Sequence, residues 1–399
     1  MLGRTLIKAV KEGSMLFRHF APTFAAAASA AIFLYATAVV SALPARAEPL
    51  TIAKMGSMEA GGQVIDCKTV DGGDPNNKRQ TPGHLVVDQV YASYIYPQNQ
   101  RYPYPILLNP GGGHTARFYD TTPDGREGWL TLFAREGFAT YGVDRVNTGR
   151  SGSDICKLNA VRLGLAPISE IPITNRYSAE AAWVNFRWGR KYGEPYPNTQ
   201  FPIEAAGAYY PQTLTTYRDP AETRKSVAAF SALIDKIDAP GVILQTWSSS
   251  GLMGYLTAIE RPEKVKGILA VESSTTAFGD IPKDKLPMLA KVPIIIMIGD
   301  RAPDRVESSR AFQKEMAALG GDVTVDVLPE AAIYGNGHTL AAEKNNKQTM
   351  YRLIAWMEGH VFNTDKKAGK PPAPDEPPPP IIPQSSSSSG AAGAAPKPK

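Results

Sequence analysis

GVILQTWSSSG, residues 241–251, begins as an apolar run, breaks at three serines and continues into Leu252-Met253-Gly254-Tyr255-Leu256. A short apolar run of this kind is a buried strand, and the residues after it open a helix. A strand that turns sharply into a helix can hold one serine in a strained backbone conformation, its hydroxyl lifted clear of the sheet. The residues two before and two after such a serine must be small. Centring the turn on Ser248 puts Thr246 and Ser250 there, whereas Ser249 would bring Trp247 into a flank and Ser250 would bring Leu252. Ser248 fits best. Neither flank is glycine, so on this stretch alone a serine cap on an ordinary helix is the better reading.

What shifts the balance lies elsewhere in the chain. Asn109-Pro110-Gly111-Gly112-Gly113-His114 directly follows the apolar run Tyr104–Asn109. Glycines there let backbone N–H groups approach a ligand, and the segment lacks the Gly-Lys-Ser/Thr ending of a phosphate loop. Gly112 and Ser249 are the candidate oxyanion donors, with His114 and Trp247 as candidate pocket residues. Of the five histidines, His19 lies in the leader, His84 in a strand pattern and His360 at a helix end. His338 sits in Tyr334-Gly335-Asn336-Gly337-His338, a turn-rich loop after the last predicted strand, where a side chain is well placed for chemistry. Two acids end the intervening strands, Glu272 and Asp300. Either would align an imidazole. Glycine loop, serine, acid and histidine thus stand in the order a nucleophilic triad takes on a doubly wound sheet.

The remaining patterns supply that sheet. Predicted strands at His84–Tyr96, Tyr104–Asn109, Phe138–Asp144, Gly241–Gln245, Lys266–Glu272, Val292–Gly299 and Val323–Leu328 alternate with helices at Gly128–Glu136, Pro220–Ile237, Ser250–Glu260, Val306–Leu319 and Asn346–His360. This alternation predicts the α/β class, a mostly parallel, doubly wound sheet. Lys157–Tyr217 interrupts it with aromatics, prolines and glycines, which predicts an insertion or lid whose rings chiefly form its own core. Asp144, Arg145 and Arg150, at a strand end, are read as an ion-paired loop brace, with orientation of substrate as the alternative.

The ends carry different signals. Residues 1–47 have a basic start, an apolar run from Phe24 to Leu43 and Ala45-Arg46-Ala47, the pattern of a cleaved export signal; Met15 is an alternative start and an uncleaved anchor the alternative reading. That leader holds five of the 43 basic residues and one of the 38 acidic ones, so the rest of the chain is balanced to within one charge. A near-neutral body gives no footprint for nucleic acid. Cys67 and Cys156 are the two cysteines, expected to pair in an oxidising compartment, with two free thiols as the alternative. Residues 363–399 are rich in proline and serine and are expected to stay outside the folded body, residues 48–362.

Several further segments carry a resemblance. Thr121-Thr122-Pro123-Asp124-Gly125-Arg126 with Gly128-Trp129, Gly149-Arg150-Ser151, Asn159-Ala160-Val161, Thr246-x-Ser248-x-Ser250-Gly251, Val271-Glu272, Gly335-Asn336-x-His338 and Asn345-Asn346 together span most of the chain. On these the chain resembles a group of bacterial α/β-hydrolase esterases whose triad acid is a glutamate one strand after the nucleophile. The resemblance implies an α/β-hydrolase fold, a small-molecule ester substrate, no metal or organic cofactor, and Glu272 rather than Asp300 beside His338. It departs at Gly112-Gly113, where bulkier residues are usual, and at Trp247, where histidine is common. Rival readings are a lactonase, thioesterase, amidase or carbon–carbon hydrolase on the same fold, or a non-catalytic binding protein.

Overall fold

The computed structural model describes residues 49–362 except 75, 77–82 and 218. The leader and the proline-rich tail fall outside these residues. Eight strands form one sheet: β1 (Ile52–Cys67), β2 (Gly83–Pro97), β3 (Ile106–Asn109), β4 (Thr140–Asp144), β5 (Val242–Trp247), β6 (Val265–Val271), β7 (Ile294–Ile298) and β8 (Val323–Val327), in the order β1-β2-β4-β3-β5-β6-β7-β8. The first two pairings, β1 with β2 and β2 with β4, are antiparallel, and from β4 to β8 every pairing is parallel. The long edge strand β1 is mostly exposed. It therefore lacks an apolar alternation, which is why no strand was legible there.

Each central strand is apolar on both faces, and the period-two geometry divides its residues between two cores. Ile106, Leu108, Ile243, Leu269 and Met297 pack into one, with helices α1 (Trp129–Arg135) and α5 (Asn346–Met357). Leu107, Leu244, Ile268 and Ile296 pack into the other, under α2 (Pro220–Lys236), α3 (Ser250–Glu260) and α4 (Pro303–Ala317). Burying helices on both sides is what leaves the carboxyl ends of the parallel strands as the open edge for chemistry.

The interruption between β4 and α2 contains short helices and two two-stranded ribbons. Its first helix, Ile155–Arg162, starts two residues before the expected boundary, because Asp154 caps it by accepting from the N–H of Cys156. Trp183, Phe186, Trp188, Phe201 and Tyr209 are buried, and rather than forming a core of their own they join the main cluster on the α1 side. Cys67 and Cys156 form a disulfide that ties the end of β1 to this helix across 89 residues. Closing so long a loop stabilises by about 4.6 kcal/mol in the chain-entropy account. Among the described residues, no helix is long and apolar enough to cross a membrane.

Candidate active site

Ser248 follows β5 at φ 57°, in the left-handed region that a non-glycine residue rarely adopts. The turn is held from several sides. Ser248 N–H donates to Val271 O at 3.0 Å, Ser248 O accepts from Ser274 N–H at 3.2 Å, and the Ser250 hydroxyl accepts from Trp247 N–H at 2.8 Å. The same hydroxyl reaches Asn109 O at 2.9 Å, linking the turn to the end of β3. Glycine was missing from both expected flanks because the tight approaches fall elsewhere. A Cβ on Gly254 would stand 2.6 Å from Thr246 Cγ2, and one on Gly251 would stand 2.5 Å from Ser273 Oγ. Those two glycines let α3 settle against β5 and β6.

Glu272 is the first residue past β6 and is fully buried, also at positive φ, 53°. Its Oε2 lies 2.9 Å from His338 Nδ1. Its Oε1 accepts from Gly299 N–H at 2.6 Å and from Arg187 Nη2 at 2.7 Å, and Arg305 Nε stands 3.4 Å from Oε2. Burial pushes this carboxyl up, but Arg187, His338 and Arg305 together overcome it and hold it well below the usual carboxylate range. Burial brings the His338 imidazole down to about 4 against the raising influence of Glu272, so at neutral pH the ring is uncharged. With Nδ1 on a carboxylate, which can only accept, the proton sits on Nδ1 and Nε2 is the basic nitrogen. Asp300 has another task. Its carboxylate accepts from Gly335 N–H at 2.8 Å, its N–H donates to Asn336 O, and its carbonyl accepts from Arg187 Nε.

The interruption after β4 supports the histidine loop directly. His338 N–H donates to Phe186 O at 2.9 Å, and the Phe186 ring stacks on the imidazole. Glu343, fully buried, clasps the same loop by accepting from Asn336 Nδ2 at 2.7 Å and Gly337 N–H at 2.9 Å. Arg126 in turn donates to the carbonyls of Glu343 and Lys344 and is fixed by Asp124. The 121–126 segment is thus a clamp on the strand of chain after His338. Arg187, Arg305 and Glu343 escaped sequence reading. Arg187 lies 85 residues from Glu272 and carries no local motif, whereas Asn336 and Asn345, which meet side chain to side chain, were visible in the resemblance.

Two sequence expectations need correction. His114 and Trp247 were expected in the substrate pocket, but both are buried, and neither they nor His338 are on the cavity wall. His114 Nδ1 donates to Gly112 O at 2.9 Å, and its Nε2 accepts from the Tyr209 hydroxyl at 2.7 Å. Burial lowers its pKa to about 4, so this neutral tautomer persists and orients the Gly112 peptide. Trp247 stacks on Phe118 at 4.1 Å and donates its indole N–H to His338 O at 2.6 Å. Aromatic packing, unavoidable for so large a ring at a strand end, took both inward.

The cavity itself encloses about 770 Å³ and has Ser248, Ser249, Gly112 and Arg145 on its wall. Gly112 lies against Ser249, a Cβ there being 3.3 Å from Ser249 Oγ. Tyr177 and Tyr217 line it from the region after β4.

This sheet order, strained serine and buried imidazole–carboxylate pair define an α/β hydrolase. The chain belongs to the α/β-hydrolase esterases, enzymes that cleave carboxylic esters. It is 32% identical to a novel bacterial esterase of known structure, covering 80% of this chain and all of that one, with a TM-score of 0.72. It is also 25% identical to the probable secreted lipase phiG of Fungal sp. (strain ATCC 74256), over 67% of this chain and 85% of the lipase. No family model matches.

Proposed function

We propose that ester cleavage proceeds through an acyl-enzyme on Ser248, with His338 as general base and acid and Glu272 as its aligning carboxylate. His338 Nε2 takes the proton of Ser248 Oγ as the oxygen attacks the ester carbonyl. The N–H groups of Gly112 and Ser249 hold the oxyanion, and the imidazolium then returns the proton to the leaving alcohol. Water enters by the same route in reverse and frees the acid. The observation that carries this reading is the left-handed Ser248, whose N–H bonds Val271 O and whose neighbour Trp247 bonds His338 O, beside a buried His338–Glu272 pair at 2.9 Å. Non-glycine residues in that conformation cost about 1–3 kcal/mol each, and strain of this kind concentrates at functional sites.

Labelling with a fluorophosphonate tests it. Wild type should label and turn over p-nitrophenyl acyl esters, while Ser248→Ala should do neither; equal labelling of both would refute the assignment. A panel of lactones, thioesters and amides beside those esters ranks the leaving groups. Tyr177 and Tyr217 on the cavity wall support a lid role for the interruption after β4. Export from the cytoplasm is supported by the disulfide and by the secreted lipase relative.

A further inference from the structure

Arg145 and Arg150, read together from sequence as a loop brace, behave differently. Arg150 is compensated: Nε and Nη2 reach the Asp144 carboxylate at 2.9 and 3.2 Å, and its guanidinium covers the Tyr91 ring. Arg145 is not. Its Nη2 donates to Gly111 O at 3.1 Å and its Nη1 faces the Met253 thioether at 3.9 Å. Its Nε is buried with no hydrogen-bond partner, and among the described residues no carboxylate lies within ion-pair distance. Glu222, the acid that acts on it through space, is engaged by Asn147 at 2.8 Å and Lys225 at 3.5 Å. Burial lowers the Arg145 pKa to about 10, which leaves it charged at neutral pH.

The position of this charge gives it a function. Arg145 is on the cavity wall with Ser248 and Ser249, and its backbone partner Gly111 lies against the serine: a Cβ on Gly111 would be 3.0 Å from Ser248 Cβ. A partly desolvated cation without a counter-ion is costly. An anion arriving with the substrate removes that cost, and a guanidinium suits a carboxylate, which it can bind through two parallel N–H donors. We propose that Arg145 binds a carboxylate carried on the acyl part of the ester, so that the preferred substrates are half-esters of short dicarboxylic acids. Asp219 and Asp280 also line the cavity and repel an anion placed beside them, while Arg224 is a second cation on the wall but does not share Arg145's backbone contact beside the serine. This inference rests on Ser248 being the nucleophile.

The test compares kcat/KM for p-nitrophenyl hemiglutarate and p-nitrophenyl valerate, equal in chain length, with spontaneous hydrolysis subtracted. Wild type should favour the hemiglutarate about tenfold or more, as a charged hydrogen bond allows. The ratio should fall towards one in Arg145→Gln, recover in part in Arg145→Lys and weaken with added salt. A ratio is insensitive to partial misfolding. A wild-type ratio near one, or a ratio unchanged in Arg145→Gln, would overturn the proposal while leaving the Ser248 reading intact. If wild type turned over neither ester, both would fall.

Discussion

Glu272 and Glu343 are both fully buried carboxylates attached to the histidine loop, and they are driven in opposite directions. Burial is the largest influence on each and raises both. Glu272 meets the guanidinium of Arg187 at 2.7 Å, that of Arg305 at 3.4 Å and the imidazole, and ends well below the usual range. Glu343 meets neutral donors, the Asn336 amide and the Gly337 N–H, feels Glu272 as a like charge, and is pushed up to about 7. Depth does not decide the charge state of a buried acid. Its partners do.

The sharpest way to break this contrast is Glu272→Gln, which keeps the shape but removes the acceptor charge. Its kcat/KM should fall about 10³–10⁴-fold, as when a triad carboxylate is lost. Asp300→Asn should cost about tenfold or less, since its carboxylate serves a backbone N–H rather than the imidazole. The reverse ranking in steady-state assays would transfer the acid's role to Asp300.

Next in size is Arg187→Met, which leaves Glu272 with one fewer cation. Breaking a buried ion pair costs about 3–5 kcal/mol, readable by denaturant unfolding. The pH profile supplies a second readout. A His338 pKa of about 4 lies below the free imidazole value, so the acid limb of kcat/KM in wild type should lie below pH 6.5. Arg187 lowers the histidine pKa, so the limb should move up in the variant. The stability that ionised Glu272 contributes is present above its unfolded pKa and is lost as pH falls below it.

Glu343→Gln should have the smallest effect on turnover, within about threefold at pH 7, because a neutral amide resembles the protonated acid. Its signature is thermal. With a folded pKa of about 7 raised above the unfolded value, wild-type Glu343 contributes stability that is full in acid and is lost as pH rises towards 7. The variant should lack that decline. A Tm that falls with pH equally in both proteins would assign the slope to another group.

Much of the frame was legible in the chain because strand and helix periods are local. The runs at residues 104–109, 241–245 and 292–299 announced buried parallel strands, and α3 begins and ends where its pattern did. Ser248 and Glu272 were legible as candidates because each follows directly on such a strand, and His338 because it sits in a turn-rich loop at the same edge. The pocket was not: His114 and Trp247 look from sequence like lining residues, and only the rings of Phe118, Phe186 and Tyr209 explain why both turn inward. Arg145 and Arg150 were likewise indistinguishable until one was seen on Asp144 and the other on the cavity wall.

Sequence by itself determined the doubly wound sheet and the three side chains offered at its carboxyl edge, because hydrophobic period and turn chemistry act between near neighbours. The tertiary structure puts Glu272 on the imidazole, as the resemblance implied, and it alone separated Arg150, paired with Asp144, from Arg145, which has no carboxylate within ion-pair distance among the described residues. The setting of Glu272 depends on contacts across 66 and 85 residues of chain in a desolvated site, where a single nearby charge outweighs anything a local pattern can encode.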